Sequence, residues 1–82
     1  MTRAELLRVF RSTASEIAEK DLSSVEETGV IAELGIDSLE LLEVIGSLER
    51  DLNIRVPDDQ LVGIKTVCQL LSLVENKLPQ AG

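Results

Sequence analysis

A serine sits between acids in the run Asp37-Ser38-Leu39-Glu40. A serine hydroxyl does covalent chemistry by one of two routes. It attacks as a nucleophile when a neighbouring base takes its proton, or it receives a group delivered by another enzyme. The first route needs a base, and this chain contains no histidine. The lysines closest in sequence are Lys20 and Lys65, and no spacing pairs either of them with Ser38. Paired carboxylates for glycoside chemistry need a cleft, which a chain of this size has little room to build. Gly35 stands alone, outside any phosphate-cradling glycine loop. The stretch "DLNIRVPDD" lacks the alternating ligands, central glycine and terminal glutamate of a calcium loop. Cys68 is the one cysteine, so it can form neither an internal disulfide nor a zinc site by itself. An autonomous enzyme is not expected.

The totals narrow the choice of partner. The 82 residues make a single domain, 1–82, with a short tail at 79–82. Hydrophobic residues are 44% of the chain, enough to fold, and Phe10 is the one aromatic, so the core must be aliphatic. A net charge of −7 argues against nucleic acid and anionic membranes and suits a soluble protein drawn to basic partners. The N-terminal "MTRAELLRVFRST" lacks the apolar segment of a signal peptide, and no run approaches membrane-spanning length. A cytoplasmic, reducing setting is the expectation. The initial Met, an early cap at Thr2 and the short tail favour a free-standing protein.

Helices must position these residues. Thr2 and Glu5 have capping-box spacing, and Leu6, Val9, Phe10, Ala14 and Ile17 recur at helical intervals, predicting a helix over about 3–19. A long connection follows, about 20–36, which Val25, Val30, Ile31 and Leu34 could pin. Ile31–Leu34 reads as a single turn stopped by Gly35. Asp37 is a good N-cap with Glu40 three residues on, and Leu41, Val44, Ile45, Leu48 and Leu52 predict a second helix over 38–52. Pro57 can start a short third helix ending before Gly63. Thr66 caps a last helix whose stripe is Val67, Leu70, Leu71, Val74 and Leu78, ended by Pro79. The expected fold is all-α, a four-helix bundle with a short third helix and a long loop between helices one and two.

Projecting the second helix at about 100° per residue places Leu39, Leu42 and Gly46 on a flank beside the core stripe. Glu43, Glu40 and Asp51 follow further round. An apolar patch beside an acidic strip thus adjoins Ser38. Gly46 disfavours the helix by about 1 kcal/mol relative to alanine. Either close approach by another molecule or tight packing within the bundle would explain it. Cys68 lies roughly 100° from the centre of the last stripe and reads as a half-buried filler.

"GIDSLELLEVIGSLERDLNIRVPDDQL" resembles the central segment of acyl carrier proteins. The family's Asp-Ser-Leu-acid signature stands here as Asp37, Ser38, Leu39 and Glu40. The register continues through Glu43, Leu48, Pro57, Asp58, Ile64, Thr66 and Val67, and with the N-terminal helical pattern it covers nearly the whole chain. The resemblance implies that Ser38 is no catalyst. A phosphopantetheinyl transferase attaches 4′-phosphopantetheine from coenzyme A to its hydroxyl, with Asp37 and Leu39 as motif flanks. The arm then carries fatty-acyl or polyketide intermediates as thioesters. The same resemblance implies a monomer that docks briefly on basic patches of synthases and modifying enzymes through Glu40, Leu42, Glu43, Gly46, Asp58 and Asp59.

Two features depart from the family pattern. Arg50, Arg55 and Lys65 lower the local acidity, and Gly46 replaces a larger apolar residue. A peptidyl or aminoacyl carrier is the nearest rival; those modules place a second glycine before a histidine or aspartate, where this chain has Gly35-Ile36-Asp37. An unmodified helical adaptor working by acidic docking alone is the rival of a different class.

Overall fold

The computed structural model describes residues 1–78. It contains three α-helices, α1 (Arg3–Ala18), α2 (Ser38–Leu52) and α3 (Val67–Lys77), and two 3-10 turns, Ile31–Leu34 and Asp58–Leu61. Each α-helix begins with reciprocal hydrogen bonds, expected from sequence for the first two helices, while at Thr66, expected as a cap, Gln69 completes the box. Thr2 with Glu5, Asp37 with Glu40, and Thr66 with Gln69 each satisfy one another's backbone N–H groups. Left-handed residues end the first two helices, Glu19 at φ 55° and Asn53 at φ 55°. The first helix therefore stops one residue short of the sequence expectation.

Helix α1 packs against both α2 and α3. Its Leu6, Phe10 and Ala14 meet Val44, Ile45 and Leu48 of α2 and Val67, Leu70, Leu71 and Val74 of α3 in one buried cluster. All three helices thus turn the stripes that their periodicity marks towards the core, with Val9, Ile17, Leu41, Leu52 and Leu78 half-buried at the margins. Burial of such aliphatic side chains stabilises by about 1.5–3 kcal/mol each.

The expected short third helix is a single 3-10 turn. Pro57 precedes it and Val62 is already extended, so four residues are too few for i to i+4 hydrogen bonding. Its closure uses i to i+3 bonds, Gln60 N–H to the Pro57 carbonyl and Ile64 N–H to the Leu61 carbonyl. Gly63, at φ 90°, then turns the chain towards α3. The α-helical count among the described residues is therefore three, not four.

The long connection is pinned at both ends of its path. The Leu22 side chain is buried, and its N–H donates to the Ser15 hydroxyl at 2.9 Å. Arg11 Nε donates to the Val25 carbonyl at 2.6 Å. Further on, the carbonyls of Glu27 and Gly29 accept from Cys68 and Val67 at 2.8 and 3.0 Å, capping the first turn of α3. Val30 does its pinning through backbone, pairing with Thr66, while its side chain stays exposed. Ile31 is buried, and Gly35 at φ 79° ends its turn as expected. Pro79 and the tail at 79–82 lie outside the described residues.

Candidate functional site

Ser38 is the first residue of α2 and its side chain is exposed. The segment before it is fixed on three sides. Lys20 Nζ donates to the Gly35 carbonyl at 3.1 Å, Ile36 is buried, and Asp37 adopts the extended N-cap conformation. Asp37 Oδ1 accepts the Glu40 N–H at 2.7 Å, and Glu40 Oε1 accepts the Asp37 N–H at 3.1 Å. A helix start leaves its first N–H groups without partners. Asp37 takes that of Glu40, and those of Ser38 and Leu39 bond to no carbonyl of the described chain. Ser38 Oγ therefore stands at the positive end of a helix dipole beside two free donors. That environment favours an anionic group bonded to the oxygen.

Ser38 also borders a surface groove of about 480 Å³, lined by Leu41, Leu42, Asp58, Leu61, Val62 and Ile64. The groove joins the first turns of α2 to the 58–64 segment, bringing Ser38, Leu42 and Asp58 together. Leu42, at 45% exposure, and Val62, at 84%, are the exposed apolar residues of its lining, and Leu39, next to Ser38 in the chain, is 67% exposed. Glu43 and Asp59 are exposed but stand outside the groove, and Glu40 is committed to the cap. Gly46 belongs to a separate groove of about 450 Å³ further along α2, with Glu49, Arg50, Asn53, Ile54 and Arg55. Two larger grooves, about 580 and 610 Å³, run along α1 and contain none of the candidate residues. Size alone does not mark the site.

Leu61 and Val62 contribute to the Ser38 groove without having been singled out by sequence, and Ile64, which the family register includes, joins them. They sit in and after a single turn, where no helical or strand period organises them. Their aliphatic character beside Pro57 and two acids was the available signal. Cys68 is exposed, not half-buried, and its Sγ lies 3.5 Å from Arg3 Nη2. It and Ser72 are both contacted by the Arg3 guanidinium at the start of α1.

The chemistry these residues permit is acceptance of a group. No cluster of three potential metal ligands occurs among the described residues, and no helix is long and apolar enough to cross a membrane. An exposed primary hydroxyl, free N–H donors for a phosphate and an apolar-walled groove for a thin flexible chain fit a phosphopantetheine arm.

Comparison with known proteins agrees with that fit. The family model described as phosphopantetheine attachment site matches residues 8–74. The acyl carrier protein of Thermotoga maritima is 36% identical over 78 residues, covering 94% of this chain and 96% of that one. An anthracycline acyl carrier protein, DpsG of Streptomyces peucetius, is 30% identical over 81 residues, covering 99% and 95%. Among solved structures, the crystal structure of an acyl carrier protein from Thermotoga maritima superposes with a TM-score of 0.84 at 32% identity. That match covers 92% of this chain and 88% of the other. Such agreement, in sequence nearly end to end and in fold, is sufficient: the chain belongs to the acyl carrier protein family, whose members bear phosphopantetheine.

Proposed function

We propose that Ser38 is the attachment residue and that the chain carries fatty-acyl or polyketide intermediates as thioesters. The observation that carries the reading is the exposed Ser38 hydroxyl at a capped helix start, bordering the apolar groove of Leu41, Leu42, Leu61, Val62 and Ile64. When bound, the 4′-phosphopantetheine group supplies a terminal thiol for acyl transfer. Ser38 supplies only its oxygen; the proton leaves to the transferase, because the chain has no histidine to take it. Asp37 fixes the direction of the first turn through its bond to Glu40. The N–H groups of Ser38 and Leu39, which have no carbonyl partner, would be available as donors to the phosphodiester.

Docking on this reading uses Leu42, Glu43, Asp58 and Asp59 around the groove, with Glu40 and Gly46 on the same helix. Exposed acids favour rapid encounter and modest affinity with basic surfaces. That suits a carrier passed among a phosphopantetheinyl transferase, synthases and modifying enzymes, acting as a cytoplasmic monomer. The match to an anthracycline carrier supports a polyketide role, and the match to a bacterial acyl carrier protein supports a fatty-acid role. Gly35-Ile36-Asp37 favours either over a peptidyl carrier. Peptide mapping after incubation with coenzyme A and a permissive transferase tests the assignment. The modified peptide should span Ser38; modification at any other residue rejects it.

A further inference from the structure

A glycine within a helix is usually explained by what a side chain would strike. At Gly46 there is no such obstacle. A Cβ added there would meet only Arg50 Nη1, 3.9 Å away, an ordinary contact with the tip of a flexible side chain. The residue lies within α2 and its φ is not positive. Neither packing nor conformation within the chain demands glycine, although glycine disfavours the helix. The open space forms part of the groove walled by Glu49, Arg50, Asn53, Ile54 and Arg55.

This groove holds two arginines, where the Ser38 end carries acids; Asp51, next to Arg50 in the chain, lines the groove along α1 instead. Arg50 and Arg55 are exposed, and neither forms an ion pair among the described residues. Glu49 is the groove's one carboxylate, and its Oε2 is occupied by the Val56 N–H at 2.8 Å. At 1.5 Å rise per residue, Arg50 stands roughly 18 Å along α2 from Ser38. Asp37, Glu40 and Glu43 occupy the other end. Planar guanidinium groups bind carboxylates through paired N–H donors.

We propose that this groove is a docking notch for an Asp or Glu side chain of a condensing enzyme that also presents a basic patch to the Ser38 end of α2. The inference rests on the docking role given above. The acids beside Ser38 and the two arginines of the groove, Arg50 in the last turn of α2 and Arg55 just beyond it, define a direction. The reversed orientation sets acids against acids and arginines against lysines, so it is rejected. Gly46 removes the side chain that would hold the partner away from the arginines. The notch is thus an orienting device that aims Ser38 at the partner's active site.

The test compares the full chain with the Arg50→Ala/Arg55→Ala and Arg50→Lys/Arg55→Lys variants. Each is loaded with the arm, verified by intact mass, and assayed with a condensing enzyme from the chain's own genome. The alanine pair should raise KM about five- to tenfold, the scale of one lost charge-assisted contact, with kcat within about twofold. The lysine pair should recover part of the loss, separating charge from a structural effect. A KM that is unchanged, or that falls because the arginines merely opposed a basic surface, overturns the notch. If the wild-type chain takes no arm, the attachment reading falls with it; loading with an unchanged KM overturns the notch alone.

Discussion

On the proposed reading, Ser38 works by position more than by activation. The oxygen is presented because Asp37 holds the first turn of α2 and Ile36 anchors the chain just before it. Replacing an N-cap Asp by Ala typically destabilises by about 0.5–2 kcal/mol. Asp37→Ala should therefore lower the melting temperature by about 4–8 °C per kcal/mol lost and slow attachment of the arm. Asp37→Asn, which keeps a capping oxygen, should stay near wild type in thermal melts. Both hydrogen-bond partners of this box lie three residues apart, which is why sequence alone discloses it. A second capping box gives a pH signature. Glu5 is held below the ordinary carboxylate range, first by the hydrogen bond from the Thr2 backbone N–H and then by the Thr2 side chain. A carboxyl depressed in the folded state stabilises the protein above its unfolded pKa, and that stabilisation is lost as pH falls through the folded value. The melting-temperature gap between wild type and Glu5→Ala should accordingly narrow on acidification. A gap that stays constant into acid would show that the carboxylate's charge contributes nothing.

The helices reproduce their sequence patterns closely, because a 3.6-residue period and a local cap are properties of the segment itself. Helix α2 begins at Ser38 and ends at Leu52, as Asp37 and the spacing of Leu41 to Leu52 imply. The short segment after Pro57 is different. Proline start signals do not say how many turns follow, and here Val62 and Gly63 halt the segment after one 3-10 turn. Gly46 is the other feature that only packing resolves. Its sequence leaves two explanations, a tight fit within the bundle or room for another molecule, and the absence of any obstruction beyond the Arg50 tip favours the second. Gly46→Ala should then raise stability by about 1 kcal/mol, and the melting temperature by about 4–8 °C, in the isolated protein. A lower melting temperature would mean that the bundle itself needs the glycine.

Across the whole molecule, the least legible features are those joined over long sequence separations. Arg3 bonds Glu27 and Glu75, each at 3.0 Å, and also the Cys68 carbonyl and the Ser72 hydroxyl, tying the start of α1 to the long loop and to α3. Desolvation works against its charge, yet Glu27 and then Glu75 outweigh that and hold its pKa above the usual arginine value. Nothing in the spacing of residues 3, 27 and 75 announces the contact. Burial of Leu22, Ile36 and Val56 is equally silent, since each is an isolated apolar residue in a connection without a period. The Ser38 groove is tertiary in the same sense, because the 58–64 segment supplies half its wall. The serine, its cap and its helix could be read from the chain; the groove beside it required the fold.

The central claim is that one folded, exposed hydroxyl receives the arm. Intact-mass measurement of the folded wild type and of Ser38→Ala, each incubated with coenzyme A, magnesium and a permissive phosphopantetheinyl transferase, tests it most directly. Wild type should gain the mass of a single phosphopantetheine and the variant none. A wild-type mass that does not change, or a variant that gains the same increment, would contradict the account.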